Sequence, residues 1–119
     1  MTPFGEKLRA MRAERGVQLK AMARALGVTP AYLSALEHGQ RGRPNRYFVR
    51  RVCAYFNIIW DDAEELQRLA DLSHPRVVVD TSGLDAGRTE LANLLARDIA
   101  KLSDETVERW LKEARRRGG

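Results

Sequence analysis

Between Leu19 and Leu36, small and apolar residues fall where only two short, tightly crossed helices can use them. Leu19, Met22, Ala23 and Leu26 recur at i, i+3, i+4 and i+7, the stripe of a helix with one buried face. Gly27 follows, where a left-handed helix end favours a residue without a β-carbon. Thr29-Pro30 then supplies an N-cap hydroxyl and a first-turn proline, opening a helix that turns Leu33 and Leu36 inward and closes at Gly39. So short a connection brings the two helices close together, and a side chain larger than Ala23 would strike the second of them. The segment from Leu19 to His38 therefore reads as a helix-turn-helix unit.

The flanking sequence supplies the rest of a five-helix body. Thr2-Pro3 shows the same cap-and-proline signature, followed by Phe4, Leu8 and Met11 at helical spacing and by Gly16 as a stop. Residues 40–45 carry glycine, proline and two arginines without periodicity, which predicts an exposed basic loop. Asn45 is placed to cap a fourth helix over residues 46–56, with Phe48, Val49, Val52, Cys53 and Phe56 inward and Arg46, Arg50 and Arg51 outward. A fifth helix follows Trp60, with Asp61 and Asp62 at its electropositive start and Leu66, Leu69 and Leu72 expected on one buried face. The first domain is expected to span residues 1–73.

Beyond His74-Pro75, the β-branched run Val77-Val78-Val79 predicts either an extended linker or a strand whose mate lies in another subunit, within a segment of residues 74–83. Leu91, Leu94, Leu95, Ile99 and Leu102 then mark a sixth helix. Ser103 caps a seventh with Val107, Trp110, Leu111 and Ala114 on its apolar side. Two amphipathic helices need a surface to bury against, either the five-helix body or an identical copy, and the copy is preferred. Residues 84–119 are accordingly expected to form a helical dimerisation element. The fold class is all-α.

Charge separates the two halves. Residues 1–60 carry 11 basic and 3 acidic side chains, net +8, and residues 61–119 carry 10 and 13, net −3. A polyanion is the expected partner of the N-terminal half. The single cysteine, Cys53, rules out an intramolecular disulfide framework and suits a reducing compartment. No apolar run approaches the roughly 20 residues that span a bilayer, so a cytoplasmic protein that does not bind membranes is expected. Two histidines, His38 and His74, with one cysteine match no metal-ligand spacing, and no nucleophile stands at a spacing that builds a catalytic triad. The chain is expected to be no enzyme and to need no cofactor or metal.

The stretch from Phe4 to Leu66 resembles the lambda-repressor-like (XRE) family of transcriptional regulators, most pointedly from Gly27 through Gly39 and on through the basic loop Gln40 to Pro44. The resemblance covers about half the chain. It implies a five-helix domain that binds duplex DNA as a homodimer on an inverted repeat, with the third helix in the major groove. Carried over by position, it puts Thr29, Pro30, Ala31, Ser34, Ala35 and His38 toward the bases. Thr29 and Ser34 bring hydroxyls, and Ala31 and Ala35 suit contact with a thymine methyl. Tyr32, Arg41, Arg43 and Arg46 fall toward the phosphates, with Gln18, Lys20 and Arg24 on the preceding helix. His38 can serve either DNA or the C-terminal end of its own helix. This chain has Leu19 where many members carry glutamine, and Ala35 where many carry a long polar residue. Its specificity is therefore expected to rest on methyl contacts, DNA shape and the basic loop.

Repression by steric exclusion is the expected outcome, with activation through RNA polymerase as the other possible sign of regulation. A different reading is an antitoxin-type module whose C-terminal helices bind a partner protein, since the acidic excess after residue 60 would suit a basic one.

Overall fold

The computed structural model describes residues 1–118, and the chain divides into a unit of Met1–Val77 and a second unit from Val78 onward. The all-helical architecture expected from the periodicities is found, and no strand occurs among the described residues.

The first unit contains α1 (Pro3–Glu14), α2 (Leu19–Leu26), α3 (Pro30–Glu37), α4 (Arg46–Phe56) and α5 (Trp60–Asp71). Helix ends fall where local chemistry puts them. The Thr2 hydroxyl accepts from Gly5 N at 3.0 Å, Thr29 from Tyr32 N at 3.1 Å, and the Asn45 side-chain oxygen from Phe48 N at 2.8 Å. Gly27 ends α2 at φ 71°, a left-handed conformation that an alanine would strain. Asn57 and Trp60 also take positive φ, 55° and 54°, so the chain reverses sharply between α4 and α5, and it leaves the Trp60 indole 81% exposed.

One core joins these helices. Phe4 and Leu8 of α1, Met22, Ala23 and Leu26 of α2, and Leu33 and Leu36 of α3 meet Phe48, Val49, Val52, Cys53 and Phe56 of α4 and Leu66 and Ala70 of α5. Ala23 is fully buried, as the close crossing of α2 and α3 demands. Burial pushes the Cys53 thiol pKa up, which leaves it an unreactive apolar filler. The buried Ser73 hydroxyl accepts from Phe4 N at 2.9 Å and donates to Leu69 O at 2.6 Å, tying the start of α1 to the end of α5.

The expected inward face of α5 is corrected in one place. Leu72 is 59% exposed, and the face that packs runs through Ala63, Leu66 and Ala70. The spacing 66, 69, 72 drifts about 120° around a helix over two steps, whereas 63, 66, 70 stays on one side. Moreover, α5 ends at Asp71, so Leu72 is only its C-terminal cap.

In the second unit, a turn from Thr81 to Leu84 leads to Asp85, whose carboxylate accepts from Arg88 N at 3.3 Å and caps α6 (Ala86–Asp98). A 3₁₀ turn over Ile99–Lys101 takes Ile99 out of the sixth helix, and the Ser103 hydroxyl accepts from Thr106 N at 3.2 Å to start α7 (Asp104–Gly118). Val77, Val78 and Val79 are exposed and form no strand. No side chain of α6 or α7 is buried: Trp110 and Leu111, expected on an inward face, are 43% and 42% exposed.

Candidate nucleic-acid interface

Helix α3 has two unlike sides. Leu33, Leu36 and Glu37 are buried, whereas Thr29, Pro30, Ala31 and His38 are exposed and Ser34 and Ala35 half-buried. The exposed side has small and hydroxyl-bearing residues that let another molecule approach the helix closely. His38 folds back on its own helix, its Nδ1 lying 2.8 Å from Ser34 O. A carbonyl can only accept, so this contact assigns the ring proton to Nδ1 and leaves Nε2 as an outward acceptor in the neutral ring.

Besides the core contacts of Leu33 and Leu36, α3 is tied to α1 by an ion pair that the sequence patterns did not single out. Arg12 of α1 donates to both carboxylate oxygens of Glu37, at 2.8 and 3.1 Å, and also to Val17 O at 3.2 Å. The hydrogen bond donated to Glu37 raises the Arg12 pKa, outweighing the opposite effect of partial burial. A signal was present, because Glu37 follows Leu33 at i+4 and so falls on the same inward face, and an acid on a buried face requires a partner. Gly5 lets α1 lie close against α3: a β-carbon there would run into Leu36 O and lie 2.7 Å from Glu37 O.

The residues expected at phosphates sit in differing surroundings. Gln18 precedes α2 without a side-chain cap bond, and Lys20 and Arg24 stand exposed four apart on that helix. The Arg41 guanidinium lies over the Tyr32 ring, 5.7 Å from its centroid. Arg43 lies 3.6 Å from Asp71, an ion pair in which both side chains are about half exposed. With Arg46, Asn45, Gln67 and His74 they surround an open hollow of about 620 Å³. The structure thus brings Tyr32 to Arg41, and Arg43 beside Arg46, and adds Asp71 as an acidic neighbour. Arg51 turns the other way, donating to Ala25 O at 3.4 Å across the end of α2. Among the described residues, no group of three or more His, Cys, Asp or Glu is placed to hold a metal ion, and no helix is long and apolar enough to cross a membrane.

Comparison with known proteins agrees with this geometry. A family model described as a helix-turn-helix domain matches residues 3–69. The HTH-type transcriptional repressor RghR of Bacillus subtilis (strain 168) is 34% identical over 61 residues, which are 51% of this chain and 45% of that protein. The uncharacterized HTH-type transcriptional regulator RghRB of the same organism is 29% identical over 62 residues, 52% of this chain and 45% of that protein. The chain thus spans less than half the length of the curated relatives it matches. A chain of a SinR protein/SinI protein complex aligns at a TM-score of 0.46 and 23% identity, covering 97% of each chain. The chain belongs to the helix-turn-helix domain family, and the lambda-repressor-like (XRE) resemblance of its third helix and basic loop is upheld.

Proposed function

We propose that this chain is a sequence-specific DNA-binding transcriptional regulator, a homodimeric repressor that occupies an inverted-repeat operator in the bacterial cytoplasm. The observation that carries the reading is the two-sided α3, locked into the core through Leu33, Leu36 and Glu37 and bare on the side of Thr29, Pro30 and Ala31. Thr29, Pro30, Ala31, Ser34, Ala35 and His38 would read base edges and methyls in the major groove. Gln18, Lys20, Arg24, Arg41, Arg43 and Arg46 would set the register on the phosphates, with Tyr32 beside Arg41. Repression is favoured because a relative that shares the helix-turn-helix region is described as a transcriptional repressor. No catalytic step is part of this reading.

Selection of bound fragments from a random duplex library tests it. Recovery of an inverted repeat with half-sites about 10 base pairs apart is expected from recognition helices about 34 Å apart. In the same selection Ser34→Ala should change the preferred sequence, whereas Arg43→Ala should weaken all fragments alike and lower the salt slope by about 1. Enrichment of no motif would remove sequence-specific operator binding from the reading.

In this reading the dimer interface lies in the second unit, supported by the exposure of Leu91, Leu94, Ile99, Trp110 and Leu111 on α6, the 3₁₀ turn and α7. A helical pair of about 40 residues rarely holds together without another surface to bury. The same uncovered faces favour a second reading, in which a different protein covers them, as in an antitoxin-type module. Light scattering separates the two. A dimeric full chain and a monomeric fragment of residues 1–77 are expected, a monomeric full chain would point to the partner protein, and a dimeric fragment would move the interface into the first unit.

A further inference from the structure

The arginines that follow α3 differ in what already occupies their hydrogen-bonding edges. Arg43 has Asp71 at 3.6 Å, and Arg51 donates to Ala25 O. Arg41 is exposed and forms no ion pair among the described residues, yet its guanidinium carbon lies over the Tyr32 ring, 5.7 Å from the centroid. A guanidinium over an aromatic ring can meet it through its π face, and the Arg41 N–H donors make no hydrogen bond or ion pair among the described residues, which leaves them for an anion.

The support behind Arg41 reaches into the core. Tyr32 packs edge-on against Phe48, centroids 6.0 Å apart and planes at 82°, and Phe48 is itself in the core. The backbone leading to Arg41 is fixed to the same helix, since Gly39 N donates to Leu36 O at 3.3 Å and Gln40 N to Ala35 O at 2.9 Å. From that closed helix end, the side chain of Arg41 reaches back toward the start of α3. A guanidinium ordered in this way loses less rotamer freedom when it meets a phosphate.

We propose that Tyr32 is a positioning residue for DNA binding: its ring, braced on Phe48, holds the Arg41 guanidinium beside α3 with its donors free for a backbone phosphate, and its hydroxyl is dispensable. The inference rests on the DNA-binding reading above and assigns Tyr32 a role other than direct contact with phosphate. It also makes Arg41 distinct from a lysine, whose compact ammonium presents no planar face to stack and no free in-plane edge.

The test is fluorescence anisotropy of the full chain on a labelled mixed-sequence duplex across a salt series, which needs no known operator. Tyr32→Phe should bind as the unsubstituted chain does, and Tyr32→Leu should bind about 2- to 5-fold more weakly. Arg41→Ala should weaken binding further and lower the salt slope by about 1. Adding Tyr32→Leu to Arg41→Ala should cost nothing more, which a general loosening of α3 would not allow. Equal binding by Tyr32→Leu and the unsubstituted chain overturns the inference. So does a Tyr32→Leu loss that persists in the Arg41→Ala background, and so does a Tyr32→Phe loss as large as that of Tyr32→Leu, which would return the role to the hydroxyl. Failure of the unsubstituted chain itself to bind the duplex would instead overturn the DNA-binding reading, and the inference with it.

Discussion

Gly5→Ala is expected to destabilise the first unit by about 3 kcal/mol, against the intrinsic preference of a helix for alanine over glycine, which favours the substitution by about 1 kcal/mol. The reason lies across the α1–α3 contact. A β-carbon on Gly5 would overlap Leu36 O and lie 2.7 Å from Glu37 O, and both obstacles are backbone atoms of a packed helix that no side-chain rotation can clear. To admit it, α1 would have to withdraw from α3 and carry the fully buried Phe4 and Leu8 with it. Urea unfolding followed by circular dichroism measures the loss. Gly87→Ala in α6 is the control, because its nearest neighbour would be the Asp85 carboxylate at an ordinary 3.7 Å, and this substitution should be neutral or mildly stabilising. A Gly5→Ala chain with an unsubstituted or higher midpoint would mean that α1 and α3 are not in the contact described.

How much of this was legible in the amino-acid order depends on the range of the interaction concerned. Helix starts at Thr2, Thr29 and Asn45 and stops at Gly27 and Gly39 are decided within a few residues of each other, and the structure has them where those residues stand. The inward stripe of α4 was likewise readable, because a single face of Phe48, Val49, Val52, Cys53 and Phe56 has only one way to turn. Leu72 was misjudged because a hydrophobic repeat does not announce where its helix ends. The Arg43–Asp71 pair, the placement of Gly5 and the Arg12–Glu37 pair join residues 25 or more apart or depend on how closely two helices approach, which no local pattern encodes. At the candidate interface, the pattern separated the buried from the bare side of α3. It did not show that Tyr32 and Arg41 touch, since that depends on how the chain leaves Gly39.

Arg12→Ala should be the most damaging single change of charge in the chain, lowering stability by about 3 to 5 kcal/mol and the melting temperature by on the order of 20 °C. Glu37 is 1% exposed and receives both hydrogen bonds from Arg12, so removing the guanidinium strands a carboxylate where water cannot replace what is lost. The pair itself contributes little in net terms, because burying both charges offsets much of their attraction. Glu37→Gln should therefore be milder, and a joint Arg12→Met, Glu37→Leu substitution should recover most of the stability. The raised Arg12 pKa keeps the guanidinium charged throughout the working range, and a raised folded-state value is stability lost only at higher pH, so the arginine should add no pH dependence near neutrality. Differential scanning calorimetry on the four chains decides this, and a loss below about 1 kcal/mol for Arg12→Ala would show that Glu37 finds another partner. The apolar double substitution also separates two roles. Glu37 lies one residue from His38 and three from Ser34, so the clasp sets how α3 is presented as well as how firmly it is held. If the doubly substituted chain regains stability and still binds DNA as the unsubstituted chain does, packing alone orients the helix. Restored stability with weakened binding would assign the orientation of α3 to the bidentate geometry of the buried pair.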